Sequence, residues 1–416
     1  MAIQRFCLFR APCAAYVTGM ERKTADILIA GGGVAGLSAA AAFGTAGYAV
    51  VVVDPAPPIT DGAQDGADLR TTAFLQPARD VLINAGVWDG LSPHAMPLQV
   101  MRIVDASGPE GTPRVTADFD ASDISDLPFG WNLPNWLIRR VLVERLAALD
   151  TVDFRPGVGF RTMLARDAEV LVNLSDDTQV RAQMLIGADG RNSAVRQAAG
   201  IGARTTRYGQ KAITFAVTHP APHENVSTEI HRSGGPFTLV PLPDHLGQPC
   251  SAVVWMDDGP EAQRLSTLPD ADFAAAATDR SAGLYGDLRL ASRRMVWPII
   301  SQVAEKLTAP RTALIAEAAH VMPPIGAQGL NTSLKDLSCL LDLAKLHGIG
   351  SPEMLTSYQR RRHPDIILRT RGIDALNRAS QAGSPLVQDL RVAGIKALYG
   401  IGPMRTGLMR LGLGAT

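Results

Sequence analysis

The stretch from Ala25 to Asp54 narrows the fold more than any other. An apolar run, ADILIA, enters Gly31-Gly32-Gly33-Val34-Ala35-Gly36, and the small-residue stretch LSAAAAFG, a turn at Gly47 and the strand AVVVVD follow. Strand, glycine turn, helix and strand in that order make a βαβ unit. The three glycines of the GxGxxG spacing serve different ends. Gly31 makes the tight turn, Gly33 lets a pyrophosphate approach the backbone, and Gly36 lets helix and strand pack closely. The helix N-terminus adds unpaired N–H groups and the positive end of its dipole. Asp54 ends the second strand eighteen residues after Gly36, where a carboxylate accepts hydrogen bonds from a ribose. The pattern specifies an adenine dinucleotide and leaves FAD and NAD undistinguished.

A chain of 416 residues, 46% of them hydrophobic, can bury a large core and is expected to form two or three domains. Basic and acidic side chains both number 40, so no overall field draws the protein onto nucleic acid. The four cysteines, Cys7, Cys13, Cys250 and Cys339, have no CxxC spacing and are read as reduced thiols in a cytoplasm-like compartment. No apolar run approaches the ~18 residues of a transmembrane helix. Residues 1–20 carry Arg5 and Arg10 and no acid, a composition shared with transit peptides. They are read instead as an extension ahead of the organised sequence.

Residues 96–120 and 205–300 alternate short β-rich runs such as KAITFAVTH, PFTLVPL and SAVVWM with turn clusters such as PAPHEN and PDHLGQP. This is the pattern of an antiparallel sheet added to the nucleotide fold. LPNWLIRRVLVERLAAL has helical spacing, MLIGADGRNSAVRQAAG reads as strand, turn and helix start, and the chain after 330 is mostly helical. The expected class is α+β. A discontinuous Rossmann-like nucleotide domain (21–95, 126–204 and 301–375) carries an inserted sheet domain (96–125 and 205–300) and a helical C-terminal region (376–416).

Two later segments separate FAD from NAD. Gly187-Ala188-Asp189-Gly190-Arg191-Asn192-Ser193-Ala194-Val195-Arg196 resembles the GADGxxSxVR segment of the single-component flavin aromatic hydroxylases. IAEAAHVMPPIGAQGLN, ending at Asn331, is similar to their GDAAHxxPPxxGxGLN segment. Asp68-Leu69-Arg70 with Ala73, the stretch VLINAGVWDGL, Asn135 to Leu146, and Tyr358 with Arg362 and Asp365 resemble the ubiquinone-biosynthesis branch. The likeness runs from about residue 24 to the C-terminus and implies a para-hydroxybenzoate hydroxylase-like fold.

The resemblance implies FAD as cofactor, NADPH or NADH as electron donor and O2 as the source of the hydroxyl. It implies a polyprenylated ubiquinone precursor as substrate, in place of a small phenolic acid. It makes the loop with Pro323, Pro324, Gly326 and Gly329 a second cradle for the same FAD, with the N–H groups of Leu330 and Asn331 facing the flavin pyrimidine. Arg70, Arg139 and Asp189 match positions near the pyrophosphate. Glu317 stands where the family has aspartate, in Ala316-Glu317 for Gly-Asp, and is expected to bond the ribityl chain. The carbonyl of Pro324 is the candidate for accepting a phenolic proton. The strands GPFTLVPL and CSAVVWM are expected to face the substrate with Phe237, Leu239, Val253 and Trp255.

Other chemistries find no support. His219 and His223 are separated by Pro220, Ala221 and Pro222, which forbid the helix that would align them on a metal, and no metal is expected. His320 is read as a packed, hydrogen-bonded residue. Arg360-Arg361-Arg362 could meet the 2′-phosphate of NADPH but is read as a solvated helix face. The tail from Ser384 suits a membrane surface or a partner in a quinone-synthesis complex, and equally a helix pair covering the core, so a peripheral place on the inner membrane stays open. Two alternatives to hydroxylation remain: an isoprenoid reductase, and a non-catalytic FAD-holding scaffold.

Overall fold

The computed structural model describes residues 22–381 and 383–413, so the reading of residues 1–20 lies outside the described residues. Its centre is a parallel sheet in the order Thr312–Leu314, Gln179–Gly187, Arg22–Ala30, Val50–Asp54 and Val152–Pro156. Ile27, Leu28, Ile29 and Val50 to Val53 are buried without alternation, as expected of strands covered on both faces. The helix Val34–Thr45 packs against them through Gly36, Leu37 and Ala39 to Ala42, whose small side chains let it lie close. The strand Gln179–Gly187 is long enough for two partners on one edge. Its first half pairs with Val170–Leu174, which continues to Phe160–Ala165, and its last three residues pair with Thr312–Leu314.

The second, nine-stranded sheet runs His320–Val321, Met295–Ala304, Ala203–Thr218, Gln248–Asp258, Pro236–His245, Val226–His231, Val100–Asp105 and Val115–Asp120, with Arg289–Leu290 beside Ala203–Thr218. All its pairings are antiparallel except Val100–Asp105 with Val226–His231. Helices Gly259–Ser266 and Asp270–Arg280 cover one face. Met96–Leu98 does not join it; with Thr71–Leu75 and Gly130–Pro134 it forms a third, three-stranded sheet. The chain ends in helices Gln328–His347, Pro352–Gln381, Pro385–Gly400 and Gly402–Leu413. Parallel and antiparallel sheets segregated in this way, with helices at one end, are the expected α+β architecture.

Candidate active site

Gly31 has φ +119°, and a Cβ there would lie 2.2 Å from the carbonyl oxygen of Ala188. The first glycine loop and the GADG segment are therefore in direct backbone contact. A Cβ on Gly36 would lie 1.9 Å from the Gly31 oxygen, whereas one on Gly33 meets no described protein atom within 4 Å. Gly33 caps its helix with extended backbone and no side-chain bond, so the first-turn N–H groups face open space. The Asp54 carboxylate takes the N–H of Gly32 (2.5 Å) and of Ala56 (2.8 Å), which fastens the loop and leaves lone pairs for a ribose.

In the second segment Asp189 accepts the Val195 N–H at 3.0 Å through one oxygen, while its other oxygen is buried without a partner among the described residues. Arg196, to which the motif assigns no role, is buried and donates to the carbonyls of Ala318 and Arg191, both at 2.9 Å. It staples the GADG segment to AEAAH. Arg191 Nε lies 3.3 Å from Glu317 Oε2 across the same junction.

Arg70 is held in a fork by Asp68, at 2.8 and 2.7 Å, and its guanidinium stacks 4.5 Å from the Trp297 ring. Asp68 also accepts the Asn135 amide at 3.0 Å, with Arg139 Nη2 at 3.8 Å. Burial pushes the Asp68 carboxyl up, but Arg70, Asn135 and Arg139 outweigh it and hold it below its usual value. Burial alone would lower the Arg70 pKa; Asp68, with Glu317 further off, raises it. One carboxylate thus faces two guanidiniums, and Arg139 Nε is buried with no partner among the described residues. That surplus positive charge is suited to a pyrophosphate.

In the second cradle Gly326 has φ +63° and Ala327, at the N-cap of Gln328–His347, has φ +55° and no side-chain capping bond. A Cβ on Gly329 meets no described atom within 4 Å. The Asn331 side chain is fully used: it takes the Leu75 N–H (2.8 Å) and donates to the carbonyls of Ala73 (2.7 Å) and Ala327 (2.6 Å). That leaves the backbone N–H groups of this turn, that of Leu330 among them, for a ligand. Two uncapped helix starts with open space over Gly33 and Gly329, an orphaned Asp189 oxygen and an unpartnered Arg139 Nε fit a dinucleotide with a pyrophosphate and a carbonyl-rich ring.

Pro324 is exposed, and the neighbouring Pro323 carbonyl, not its own, closes the loop by accepting the Ile325 N–H at 2.8 Å. His320 is buried and bonds Asp336 at 2.7 Å. Arg362 corrects the solvated-face reading: only Arg360 and Arg361 are exposed, while Arg362 is buried between Asp336 (2.7 Å) and Asp365 (2.5 Å). Nothing local in the sequence marks Asp336, although it holds both His320 and Arg362.

The assignment of Phe237, Leu239, Val253 and Trp255 to the substrate is overturned. All four are buried with Phe215, Phe273 and Ala277, under the covering helices. Strand residues alternate between faces. The opposite face, with Ala212, Thr214, Thr238, Val240, Val254 and Trp297, turns to the nucleotide-binding core: Ala212 and Val254 pack into it and Trp297 stacks on Arg70.

The family profile of the FAD binding domain matches residues 24–367. The chain is 33% identical over 404 residues to the ubiquinone hydroxylase UbiL of Rhodospirillum rubrum, covering 96% of this chain and 91% of that one. It is 26% identical over 402 residues to the 3-demethoxyubiquinol 3-hydroxylase of Escherichia coli, covering 95% and 100%. Among solved structures, p-nitrophenol 4-monooxygenase PnpA from Pseudomonas putida superposes with a TM-score of 0.76 at 20% identity over 95% of this chain and 99% of that one, a likeness of fold. The chain therefore belongs to the FAD-binding-domain family, within its group of FAD-dependent hydroxylases of ubiquinone biosynthesis.

Proposed function

We propose that the protein hydroxylates the aromatic ring of a polyprenylated ubiquinone precursor, with NADPH or NADH as reductant and O2 as oxygen source. The observation that carries this reading is the pair of uncapped glycine loops, at Gly33 and Gly329, that open the two contacting helices Val34–Thr45 and Gln328–His347. FAD, when bound, supplies the redox chemistry and oxygen activation. The N–H groups at Gly33 and the guanidiniums of Arg70 and Arg139 hold its pyrophosphate, with Asp189 beside them. Asp54 takes its adenosine ribose, and Glu317 its ribityl hydroxyls. Gly326 and Gly329 give the ring room, and the N–H groups of Leu330 and Asn331 stabilise negative charge on it.

The discontinuous nucleotide domain holds the cofactor and the inserted sheet the substrate. The Pro324 carbonyl would accept a hydrogen bond from the phenolic O–H of the ring, and the sheet face with Thr214, Thr238 and Val240 would take ring and tail. Each buried CH2 of the tail adds about 0.8 kcal/mol, so most of the binding energy comes from the prenyl chain. Substrate-stimulated O2 uptake with NADPH tests the reading: prenylated phenols are expected to bind more tightly with each added unit and to couple uptake to a hydroxylated product. Efficient coupling with 4-hydroxybenzoate, and none with prenylated phenols, would replace this reading by a soluble aromatic hydroxylase.

A further inference from the structure

Among the described residues no helix is long and apolar enough to cross a membrane. The last two helices nevertheless leave an apolar face uncovered. Leu386 and Leu390 on Pro385–Gly400, Ile401 at the junction, and Met404, Leu408 and Leu411 on Gly402–Leu413 are between 41% and 70% exposed. Their spacing of three to four residues puts them on one stripe of each helix. The pair is nonetheless firmly seated. Arg391 is bonded to buried Asp105 at 2.6 Å, Arg405 to Asp123 at 3.1 Å, Tyr399 meets Phe119 edge-on at 5.8 Å, and Met409 and Leu413 are buried beside Leu75 and Phe129. The stripe is therefore the outward face of a fixed element.

Charge selects its occupant. Lys396 and Arg410 are exposed beside the stripe, and the one carboxylate on the described part of the pair, Asp389, is already paired with Arg114 at 2.6 Å. A second copy docking face to face would set the same cations against each other, whereas lipid phosphates neutralise them. We propose that this helix pair docks the protein on an anionic lipid bilayer, with the leucine stripe entering the headgroup boundary. A cavity of about 230 Å³ borders the end of the second helix, lined by Leu75, Ala78, Leu413, Lys335 and Arg369, and it reaches Asn331 at the start of the flavin-loop helix. An apolar chain leaving the bilayer at this edge meets that cavity. This step rests on the substrate reading above; the docking does not.

Flotation of the purified holoenzyme with vesicles of phosphatidylcholine, alone or mixed with phosphatidylglycerol, tests the docking without substrate. Binding is expected to the mixed vesicles only and to weaken with added salt. Leu390→Glu with Leu408→Glu should keep full FAD content and Tm yet lose roughly tenfold or more in vesicle affinity per leucine. Lys396→Glu and Arg410→Glu should each cost about fivefold or more, from ~1 kcal/mol per cation near the surface. Wild type that stays unbound by mixed vesicles, or a double leucine variant that floats as well as wild type, overturns the proposal. So does a dimer by light scattering that the leucine variant dissolves, since the face would then belong to a second copy. Turnover is not measured, so an error in the ring substrate leaves the result standing.

Discussion

A methyl group on Gly36 would lie 1.9 Å from the Gly31 oxygen, whereas one on Gly33 would meet no described protein atom. Gly36→Ala is therefore expected to lower the Tm of the apoprotein. Gly33→Ala should leave it within a degree or so but strip FAD, because its Cβ enters only the space the pyrophosphate needs. Flavin absorbance and a thermal melt on both variants check this, and full FAD occupancy in Gly33→Ala would count against the cradle. Ala316 sits at φ +56°, where a Cβ is strained and the family has glycine. Ala316→Gly should stabilise the protein by about 0.5–1 kcal/mol, the relief of strain exceeding the entropy gained by the unfolded chain; a denaturant melt reads it. Glu317 is nearly half exposed, and Arg191 is its ion-pair partner. Glu317→Ala should leave stability almost unchanged but weaken FAD binding roughly ten- to a hundred-fold, the worth of a charged hydrogen bond of about 1.5–3 kcal/mol. Glu317→Asp should retain binding; titration of apoprotein with FAD separates the two.

At the scale of elements, single side chains tie segments that propensity alone leaves independent. Asn331 links the helix Gln328–His347 to the strand Thr71–Leu75 through its hydrogen bonds, and Arg196 links GADG to AEAAH. Arg391 does the same for the C-terminal pair, bonding Asp105 and the carbonyl of Arg232. Arg391→Ala would strand a buried carboxylate and is expected to cost about 3–5 kcal/mol locally. The loss should appear as faster amide exchange in Pro385–Gly400 and Gly402–Leu413, with the parallel sheet still protected. Protection unchanged in both helices would mean that their apolar seat, Met409 and Leu413, is sufficient.

Across the whole molecule three depressed carboxyls anchor separate places: Asp68 at the nucleotide site, Asp105 between sheet and C-terminal helix, and Asp365 within the long helix. Burial pushes each up, but Arg70 for Asp68, Ser107 and Arg391 for Asp105, and Arg362 and Arg369 for Asp365 bring each below its usual value. For a carboxyl depressed on folding, the stabilisation is complete above the unfolded pKa of about 4 and is lost as pH falls through the folded value. Stability is thus expected to be level on this account above about pH 5 and to fall steeply below about pH 4. Denaturant melts along a pH series check it; a curve flat down to pH ~3 would show that these pairs carry none of the stability.

The βαβ unit, its glycine loop and the α+β class were legible because they rest on local spacing: a dinucleotide loop brings strand, glycines and helix within a dozen residues. The acid at Asp54 was legible through the same short-range order, whereas the Asp189 and Glu317 segments were read only through their resemblance to flavin hydroxylases. The role of Phe237, Leu239, Val253 and Trp255 was not. Alternation says that a strand has two faces, but which one meets the cofactor depends on where helices Gly259–Ser266 and Asp270–Arg280 cross the sheet. Arg362 reads as one of three charges in a row until Asp336, from another helix, is packed against it. The chain alone determined the βαβ unit with its glycine turn and the mostly helical stretch after 330, but not the helices Gly259–Ser266 and Asp270–Arg280 within the run expected to be sheet. Only the tertiary structure decided which faces and charges are buried together, because burial and pairing depend on contacts between residues far apart in sequence.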